Sequence, residues 1–246
     1  MYSTSSLRKS LSIAKKDLRI YYGKGPVVIF GILLPFFFFF SFLIGRELPP
    51  LSLIAGLGGM AIWFTATSIS PVIAPMETRT RTLERLVSMP LTVFEMLFGD
   101  ILASMTMGIT LSGIPIAIIA FILNLNLVDP LPFLLGLIFG SFCFSSIGIL
   151  LSALPTDTPS DVMMLALLVK FPVVFVSGVF MPPDKLPGWA IIISDFSPLT
   201  YFVNLVRVSF GGSGQAWLNL GILVLFSTFF FLTAISLHTR TLPKRL

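Results

Sequence analysis

Charged residues are scarce in this chain. Asp, Glu, Lys and Arg make up 11% of its 246 residues, and the mean hydropathy is +0.98. A soluble domain of ordinary composition carries about 25% charged residues. This shortage excludes a soluble globular fold, and we therefore expect lipid to be the solvent for most of the chain.

Reactive side chains are equally rare. There is one cysteine, Cys143, and one histidine, His238, which excludes a disulfide framework and a Cys/His metal cluster. No Ser or Cys has a base positioned beside it, and the chain has no Gly-x-x-x-x-Gly-Lys-Ser/Thr loop to hold nucleotide phosphates. We therefore expect no catalytic, cofactor-binding or metal-binding residues in this chain.

Long apolar runs fill most of the sequence. A helix needs about 20 apolar residues to cross a hydrocarbon core of about 30 Å. The runs are continuous rather than alternating, which favours helices over the strands of an outer-membrane barrel. The sequence thus predicts an all-α integral membrane protein with six transmembrane helices, at roughly 26–44, 51–73, 96–123, 131–154, 161–181 and 216–237.

The cations indicate how the chain is threaded. Twelve of the sixteen Lys and Arg residues lie in 1–24, 76–95 and 238–246. Cytoplasmic flanks of spanning helices collect Lys and Arg, so these stretches are predicted to be inside. The first run is too long for a cleavable signal and no small-residue cleavage site ends it, which indicates a retained anchor. We expect a multi-pass protein of the plasma or inner membrane with both termini in the cytoplasm.

Residues 1–24 are predicted to form an amphipathic helix lying on the membrane, ahead of a transmembrane domain over 25–246. Cations occupy the other faces, where they would meet anionic lipid headgroups. A solvated basic tail is the alternative. Gly23, Gly25 and Pro26 should end the helix before the first span. One apolar stripe recurs at helical spacing: Leu7, Leu11, Ala14, Leu18 and Tyr21.

The inside loop after the second span is predicted to contain a short helix at about 77–88. Its charges have helical spacing, and Leu83, Leu86 and Val87 would form one apolar face. Such a helix suits docking onto another protein, although a connector lying on the membrane would have the same pattern. Pro90 ends it, and Thr92 with Glu95 forms a capping-box pattern for the next helix.

An outer region at about 182–210 is too long for a tight connection and too apolar for a plain loop. Its two apolar pieces, each about 8 to 12 residues, are too short to span and predict a half-inserted helical pair. Trp189 and Tyr201 suit the headgroup belt. This pair could cap the outer end of a pathway.

Lys170 is the one cation predicted deep inside a span. It lies about nine residues into the fifth run, roughly 13 Å at 1.5 Å per residue. An ammonium there costs about 2.5 to 3.5 kcal/mol on insertion scales. Two interpretations stay open. Lys170 lines a substrate cavity and meets an anionic headgroup, or it snorkels or pairs with a carbonyl or Asp100.

Two stretches carry a resemblance to a known family. The loop Glu77-Thr-Arg-Thr-Arg-Thr-Leu-Glu-Arg-Leu-Val-Ser-Met-Pro-Leu-Thr, running on to Gly99, resembles a pattern of the ABC-2 type permeases. The outer stretch, from Ser177-Gly178 and Pro182 through Trp189 and Ser197-Pro198-Leu-Thr-Tyr201 to Arg207, resembles the family's second pattern. Both patterns occur in the right order and topology, so the resemblance covers essentially the whole chain.

The resemblance implies half of a type V ABC exporter. The chain would pair with a second permease chain, identical or related, and rest on two copies of an ATP-binding subunit that holds ATP and Mg. The helix at 77–88 would be the coupling helix, with Glu77, Arg79, Arg81, Glu84 and Arg85 at the ATPase contact. The candidate outer gate consists of Gly178, Pro182, Trp189, Pro198 and Tyr201.

The cargo class follows from the predicted walls. The run from Phe36 to Phe40 and the Met-rich fifth span suit an apolar or amphiphilic cargo such as a lipid, a drug or a lipid-linked glycan. Besides membrane lipids no further partner is expected, and nucleic acid is not among the partners. A multi-span membrane enzyme acting on lipid would need paired polar groups at matching depth. A secondary carrier would need broken helices in symmetry-related pairs and several intramembrane carboxylates.

Overall fold

A computed structural model describes residues 2–22, 29, 31, 33–44, 48–180 and 187–244. Within these residues the regular structure is helical, with no strand. Short 3-10 turns lie at Ser70–Val72 and Leu242–Lys244. The α-helices are α1 (Tyr2–Ile20), α2 (Leu34–Leu43), α3 (Pro50–Ala66), α4 (Ile73–Arg79), α5 (Thr82–Val87), α6 (Val93–Ile122), α7 (Pro130–Leu151), α8 (Pro159–Val176), α9 (Gly188–Asp195), α10 (Pro198–Ser209) and α11 (Ala216–Thr241).

Five stretches of the described chain are long and apolar enough to cross a membrane. They are α3 with its continuation to Arg79, α6, α7, α8 and α11, and they overlap five of the six predicted spans. The predicted first span, 26–44, is helical over Leu34–Leu43. Residues 26–28, 30 and 32 of that span lie outside the described part, as do Gly23, Gly25 and Pro26 of the predicted helix end.

Local sequence signals explain where several helices begin. Pro50, Pro130, Pro159 and Pro198 are each the first residue of a helix, where a missing N–H costs nothing and the fixed φ suits the helix. At the start of α6 the predicted capping box is confirmed. The Glu95 N–H donates to Thr92 Oγ1 at 3.1 Å, and the Thr92 N–H donates to Glu95 Oε2 at 2.9 Å.

The predicted pair of short helices is present as α9 and α10, of 8 and 12 residues, which meet at a bend of 93°. α10 is seated deeply against α3 and α7. An added Cβ on Gly59 would lie 2.6 Å from Val203 Cγ2, and one on Gly140 would lie 2.7 Å from Phe202 Cδ2. Gly59 on α3 and Gly140 on α7 therefore provide the space in which α10 packs closely against both helices.

The second span is not continuous. The predicted span 51–73 is present but interrupted, because α3 ends at Ala66 and helical structure resumes at the Ser70–Val72 turn. The intervening residues, Thr67–Ile69, are called the break from here on. Hydroxyl groups of this region bond to carbonyls in the last turn of α3. Thr67 Oγ1 donates to Trp63 O at 2.5 Å, Ser68 Oγ to Thr65 O at 2.8 Å, and Ser70 Oγ to Ala66 O at 3.0 Å.

The prediction of one helix over 77–88 also needs correction. Arg81 adopts a left-handed conformation, with φ of 55°, and separates α4 from α5. Thr82 Oγ1 donates to Glu77 O at 3.3 Å across this corner. Leu83 and Leu86 are buried as expected, but Val87 is 38% exposed and does not belong to that apolar face. We call residues 73–87, with their corner at Arg81, the coupling segment.

Candidate coupling and transport site

The amino-terminal helix α1, here called the elbow helix, crosses the first turns of α6 at Gly99. A Cβ added to Gly99 would lie 2.7 Å from both Ile13 Cβ and Ser10 O. The Ser10 hydroxyl donates to Glu95 O at 2.9 Å beside this contact. The glycine at the start of the third predicted span therefore makes room for the elbow helix.

The buried face of the elbow helix differs from the predicted stripe. The stripe is predicted to face lipid, but Ala14 and Tyr21 are buried against the protein, while Leu7 and Leu11 are 54% and 51% exposed. The predicted stripe thus divides between a side that packs on the protein and an adjoining, exposed apolar side. The protein-facing side is centred on Ser10, Ile13 and Asp17.

Lys9 links the elbow helix to Pro90, in the connection between α5 and α6. Its ammonium donates to Pro90 O at 2.6 Å and lies 3.6 Å from Glu95 Oε2. Pro90 stops the helical pattern at this point, so its carbonyl is available to a side chain. The elbow helix consequently holds both the end of that connection and the start of α6.

Lys16 forms a second link, to Glu77 of α4 and to Asp17 at 3.0 Å. Burial disfavours the Lys16 charge, but the carboxylates of Glu77, Asp17 and Asp100 together raise its pKa above the usual range. Glu77 is 1% exposed. The proposal of Glu77 as a contact to a partner subunit is therefore corrected, because its carboxylate is used within the chain to hold the elbow helix.

Asp17 and Asp100 form a carboxyl pair behind this ion pair. Both side chains are buried, and their carboxyl groups interact electrostatically. Burial raises the pKa of Asp17, although its interactions with Asp100 and with the Lys16 ammonium act in the opposite direction. Next to the pair, Tyr22 Oη donates to Ser104 Oγ at 2.6 Å.

The other four predicted coupling residues lie on the surface. Arg79, Arg81, Glu84 and Arg85 are all exposed, while Leu83 of the same segment is buried. Beside them is a recess of about 370 Å³ between the elbow helix and residues 86–91, with Lys9 and Lys16 along one edge. The coupling segment therefore presents a mostly cationic surface whose back is anchored in the helix bundle.

Lys170 reaches into the break in the second span. Its ammonium donates to Thr67 O at 2.7 Å and lies 5.8 Å from the centre of the Phe64 ring, and the residue is 4% exposed. In return, Trp63 Nε1 donates to Lys170 O at 3.4 Å. Of the two interpretations, the structure shows pairing with a carbonyl. Lys170 is not among the residues that line the apolar cavity described next.

An apolar cavity of about 650 Å³ lies between α8 and the wall formed by α7 and α11. The start of α10 and the helix α9 close one end of it. Ser197 is its single residue with a polar side chain other than the indole rings. We call this space the apolar cavity, and its lining residues are Trp63, Ile147, Leu150, Leu151, Val169, Pro172, Val173, Phe175, Val176, Trp189, Ile193, Phe196, Ser197, Pro198 and Phe230.

The structure brings most of the candidate gate residues together at this end of the cavity. Trp189 and Pro198 line it, and Tyr201 Oη donates to Asp195 O at 2.8 Å across the bend between α9 and α10. Gly178 has φ of 71°, a conformation that suits glycine. The neighbouring Ser177 and Ser197 hydroxyls are 2.6 Å apart and join α8 to α10. Pro182 lies outside the described residues.

Sequence reasoning missed two parts of the site. The break is marked by the run Thr65-Ala-Thr67-Ser68-Ile-Ser70-Pro71, whose hydroxyls and proline together are a detectable signal of an interrupted helix. The carboxyl pair has no local signal, because Asp17 and Asp100 are 83 positions apart and meet only through the crossing of the elbow helix and α6.

Comparisons with known proteins agree with this architecture. A family model described as "ABC-2 type transporter" matches residues 12–211. The Inner membrane transport permease YhhJ of Escherichia coli K12 is 28% identical over 136 residues, which are 54% of this chain and 36% of that protein. The Daunorubicin resistance ABC transporter permease protein DrrB1 of Streptomyces coeruleorubidus is 27% identical over 77 residues, 31% of this chain and 25% of that protein.

The chain spans about a third of the length of the first curated relative it matches, and a quarter of DrrB1. The family match is more extensive, since it runs from within the elbow helix to the end of α10. It includes the coupling segment, the break and the candidate gate. This chain is therefore a multi-pass membrane protein that belongs to the ABC-2 type transporter family of permeases.

Proposed function

We propose that this chain is the transmembrane subunit of an exporter driven by a separate ATP-binding subunit. Two copies of that subunit would bind ATP and Mg, and a second permease chain, identical or related, would complete the pathway. The chain would lie in the plasma or inner membrane with both termini in the cytoplasm. The observation that carries the proposal is the coupling segment, which exposes Arg79, Arg81, Glu84 and Arg85 while its apolar side is anchored.

The coupling segment is placed to transmit a conformational change of a soluble partner to the membrane spans. It follows directly from the broken second span, and the elbow helix holds it through Lys16 and Glu77. A partner that changes shape with ATP shifts the permease between two packings only by binding one packing more tightly than the other. Because the coupling segment is rigidly attached to the helix bundle, a partner that binds one packing more tightly also shifts the spans toward that packing.

The apolar cavity supports an apolar or amphiphilic cargo. A volume of about 650 Å³ lies within the range of small-molecule sites, and the lining offers hydrocarbon and aromatic surface with almost no hydrogen-bonding groups. A lipid chain or an apolar drug matches that lining, as does the lipid part of a lipid-linked glycan. The gate residues lie at one end of the cavity, and release toward the outside at that end completes the proposed export.

Purification from native membranes tests this function. The tagged chain would be extracted in mild detergent and its bound proteins identified by mass spectrometry. We expect a stoichiometric subunit with a phosphate-binding Gly-x-x-x-x-Gly-Lys-Ser/Thr loop, and ATPase activity of the complex that responds to an apolar cargo. Reproducible absence of an ATPase subunit would reject the exporter and leave the membrane enzyme and the secondary carrier to be tested.

A further inference from the structure

One face of α8 is packed on the protein and the other is open. Val162, Ala166, Lys170 and Val174 are buried along the packed face, which contacts the Ser70–Val72 turn near the break. At its end, Ser177 continues to the contact with Ser197 at α10. On the open side Met164 and Leu168 are 71% and 70% exposed, and the apolar cavity lies between α8 and the wall of α7 and α11. The width of this cavity therefore depends on where the packed face holds α8.

Lys170 provides the contact at the break. Two hydrogen bonds run in opposite directions, from Lys170 Nζ to Thr67 O and from Trp63 Nε1 to Lys170 O. Hydrogen bonds from a charged donor are about twice as strong as neutral ones, and at membrane depth water does not compete for them. Pro172 leaves the Leu168 carbonyl without its helical N–H partner close by, so the helix backbone is less constrained next to this contact.

The break also separates α3 from the coupling segment. Thr67 lies three residues before the Ser70–Val72 turn, and α4 follows that turn directly. A displacement of α4 would act on the break, where the α-helical pattern ends with the bond from the Thr67 N–H to Trp63 O and the next bond, from the Ser68 N–H to Thr65 O, closes only a three-residue turn. The Lys170 ammonium is bound to the carbonyl at that point.

We propose that Lys170 is a positioning residue that connects α8 to the break, so that displacement of the coupling segment moves α8 and changes the width of the apolar cavity. This inference rests on the proposed function for its driving force. Lys170 itself does not touch the cargo in this mechanism. It transmits movement because its side chain binds the one part of the second span that is not helical.

The test uses the complete permease and its ATPase subunit in lipid nanodiscs. Lys170→Met removes the donor and keeps an apolar side chain of similar length. Lys170→Arg restores a charged donor, and Leu168→Met is the control on the exposed side of the same helix. Spin labels would be placed at Met164→Cys in α8 and Leu232→Cys in α11, in a chain carrying Cys143→Ser, to measure the distance between these helices.

In nucleotide-free nanodiscs, Lys170→Met should broaden the distance distribution, whereas Lys170→Arg and Leu168→Met should match the parent. With ATP, cargo transport in Lys170→Met should fall about tenfold while basal ATPase activity stays within about twofold, because one charge-assisted hydrogen bond is lost. Lys170→Arg should recover most of the transport. Basal ATPase activity near the parent value separates a transmission role from simple destabilisation, because a permease that fails to fold would lose both activities.

Three results would overturn the proposal. One is an unchanged distance distribution in Lys170→Met. Another is unchanged transport in that variant. The third is a parallel loss of transport and basal ATPase activity that Lys170→Arg does not correct. If no ATPase subunit associates with the parent chain, the exporter function fails and transmission fails with it. The nucleotide-free distances then decide separately whether Lys170 fixes the position of α8.

Discussion

Lys16 of the elbow helix forms an ion pair with Glu77 of α4, 61 residues further along the chain. Glu77 is almost completely buried, and the Lys16 side chain is 27% exposed. The pair joins a helix at the start of the chain to the segment proposed to meet a partner subunit. With Asp17 and Asp100 behind it, three carboxyls surround a single ammonium.

Replacing Lys16 by Met should destabilise the protein. Removing one partner of a buried ion pair costs about 3–5 kcal/mol, and the partial exposure of Lys16 reduces our expectation to about 2 kcal/mol. Lys16→Met combined with Glu77→Gln should recover part of that loss, because no buried carboxylate is then left without its cation. Thermal unfolding in detergent measures both variants. Additive losses in the double variant would show that the two side chains do not interact.

Gly99→Ala should loosen the elbow helix. The new methyl group would overlap Ile13 and the Ser10 carbonyl, and forcing an extra methyl into such a contact costs about 1–3 kcal/mol. Limited proteolysis near the amino terminus should become faster. Gly113→Ala is the matched control in the same helix, since nothing lies within 4 Å of its added Cβ. Equal proteolysis of the two variants would contradict the crossing at Gly99.

Stability should depend on pH through Asp17. The pKa of Asp17 is raised in the folded state. At pH values above the usual Asp pKa of about 4, the Asp17 carboxyl is therefore protonated more often in the folded state than in the unfolded state. Stability from this group is therefore present at low pH and falls as pH rises from about 4 through the folded pKa. Asp17→Asn should remove this decline, and its amide can donate to Asp100. Melting temperatures from pH 4 to 8 measure the difference, and parallel curves would contradict it.

Charge reversal on the coupling segment should uncouple the proposed complex. Arg81→Glu together with Arg85→Glu changes two exposed cations and leaves the buried Leu83 and Leu86 in place. We expect normal expression and melting temperature, with cargo-stimulated ATPase activity reduced at least about tenfold, since like charges across an interface cost several kcal/mol. Arg240→Glu, an exposed cation at the end of α11, is the control. Unchanged coupling in the double variant would remove these arginines from the interface.

Filling the apolar cavity should block transport without affecting assembly. Val173 lines the cavity on α8, so Val173→Trp would occupy space that cargo needs. Leu168→Trp places the same bulk on the exposed side of α8. We expect a loss of cargo transport of at least about tenfold for Val173→Trp only, consistent with a binding site of this volume. Similar transport in the two variants would show that cargo does not use this cavity.

Much of the fold could be read from composition and local pattern. Apolar runs of spanning length located α6, α7, α8 and α11, and a capping box or a proline marks the starts of the first three. The outer pair was recognisable because two apolar pieces were too short to span. These features depend on neighbouring residues, and so a one-dimensional pattern was enough to predict them.

The site was only partly predictable for the opposite reason. Arg79, Arg81, Glu84 and Arg85 were assigned to the surface correctly, but Glu77 follows the same charge pattern and is buried by Lys16 from a distant helix. The predicted helix also misses the corner at Arg81. Helical spacing shows which residues share a face. It does not show what covers that face.

The sequence by itself determined that this chain is a helical membrane protein with most of its cations gathered outside the long apolar runs, because lipid disfavours unpaired backbone groups and charge. Only the tertiary structure decided that Lys170 binds Thr67 O, that Asp17 meets Asp100 and that Gly99 admits the elbow helix. Each of these contacts joins residues far apart in the chain. Which residues meet depends on where two helices cross, and that crossing is set by the packing of their side chains in three dimensions.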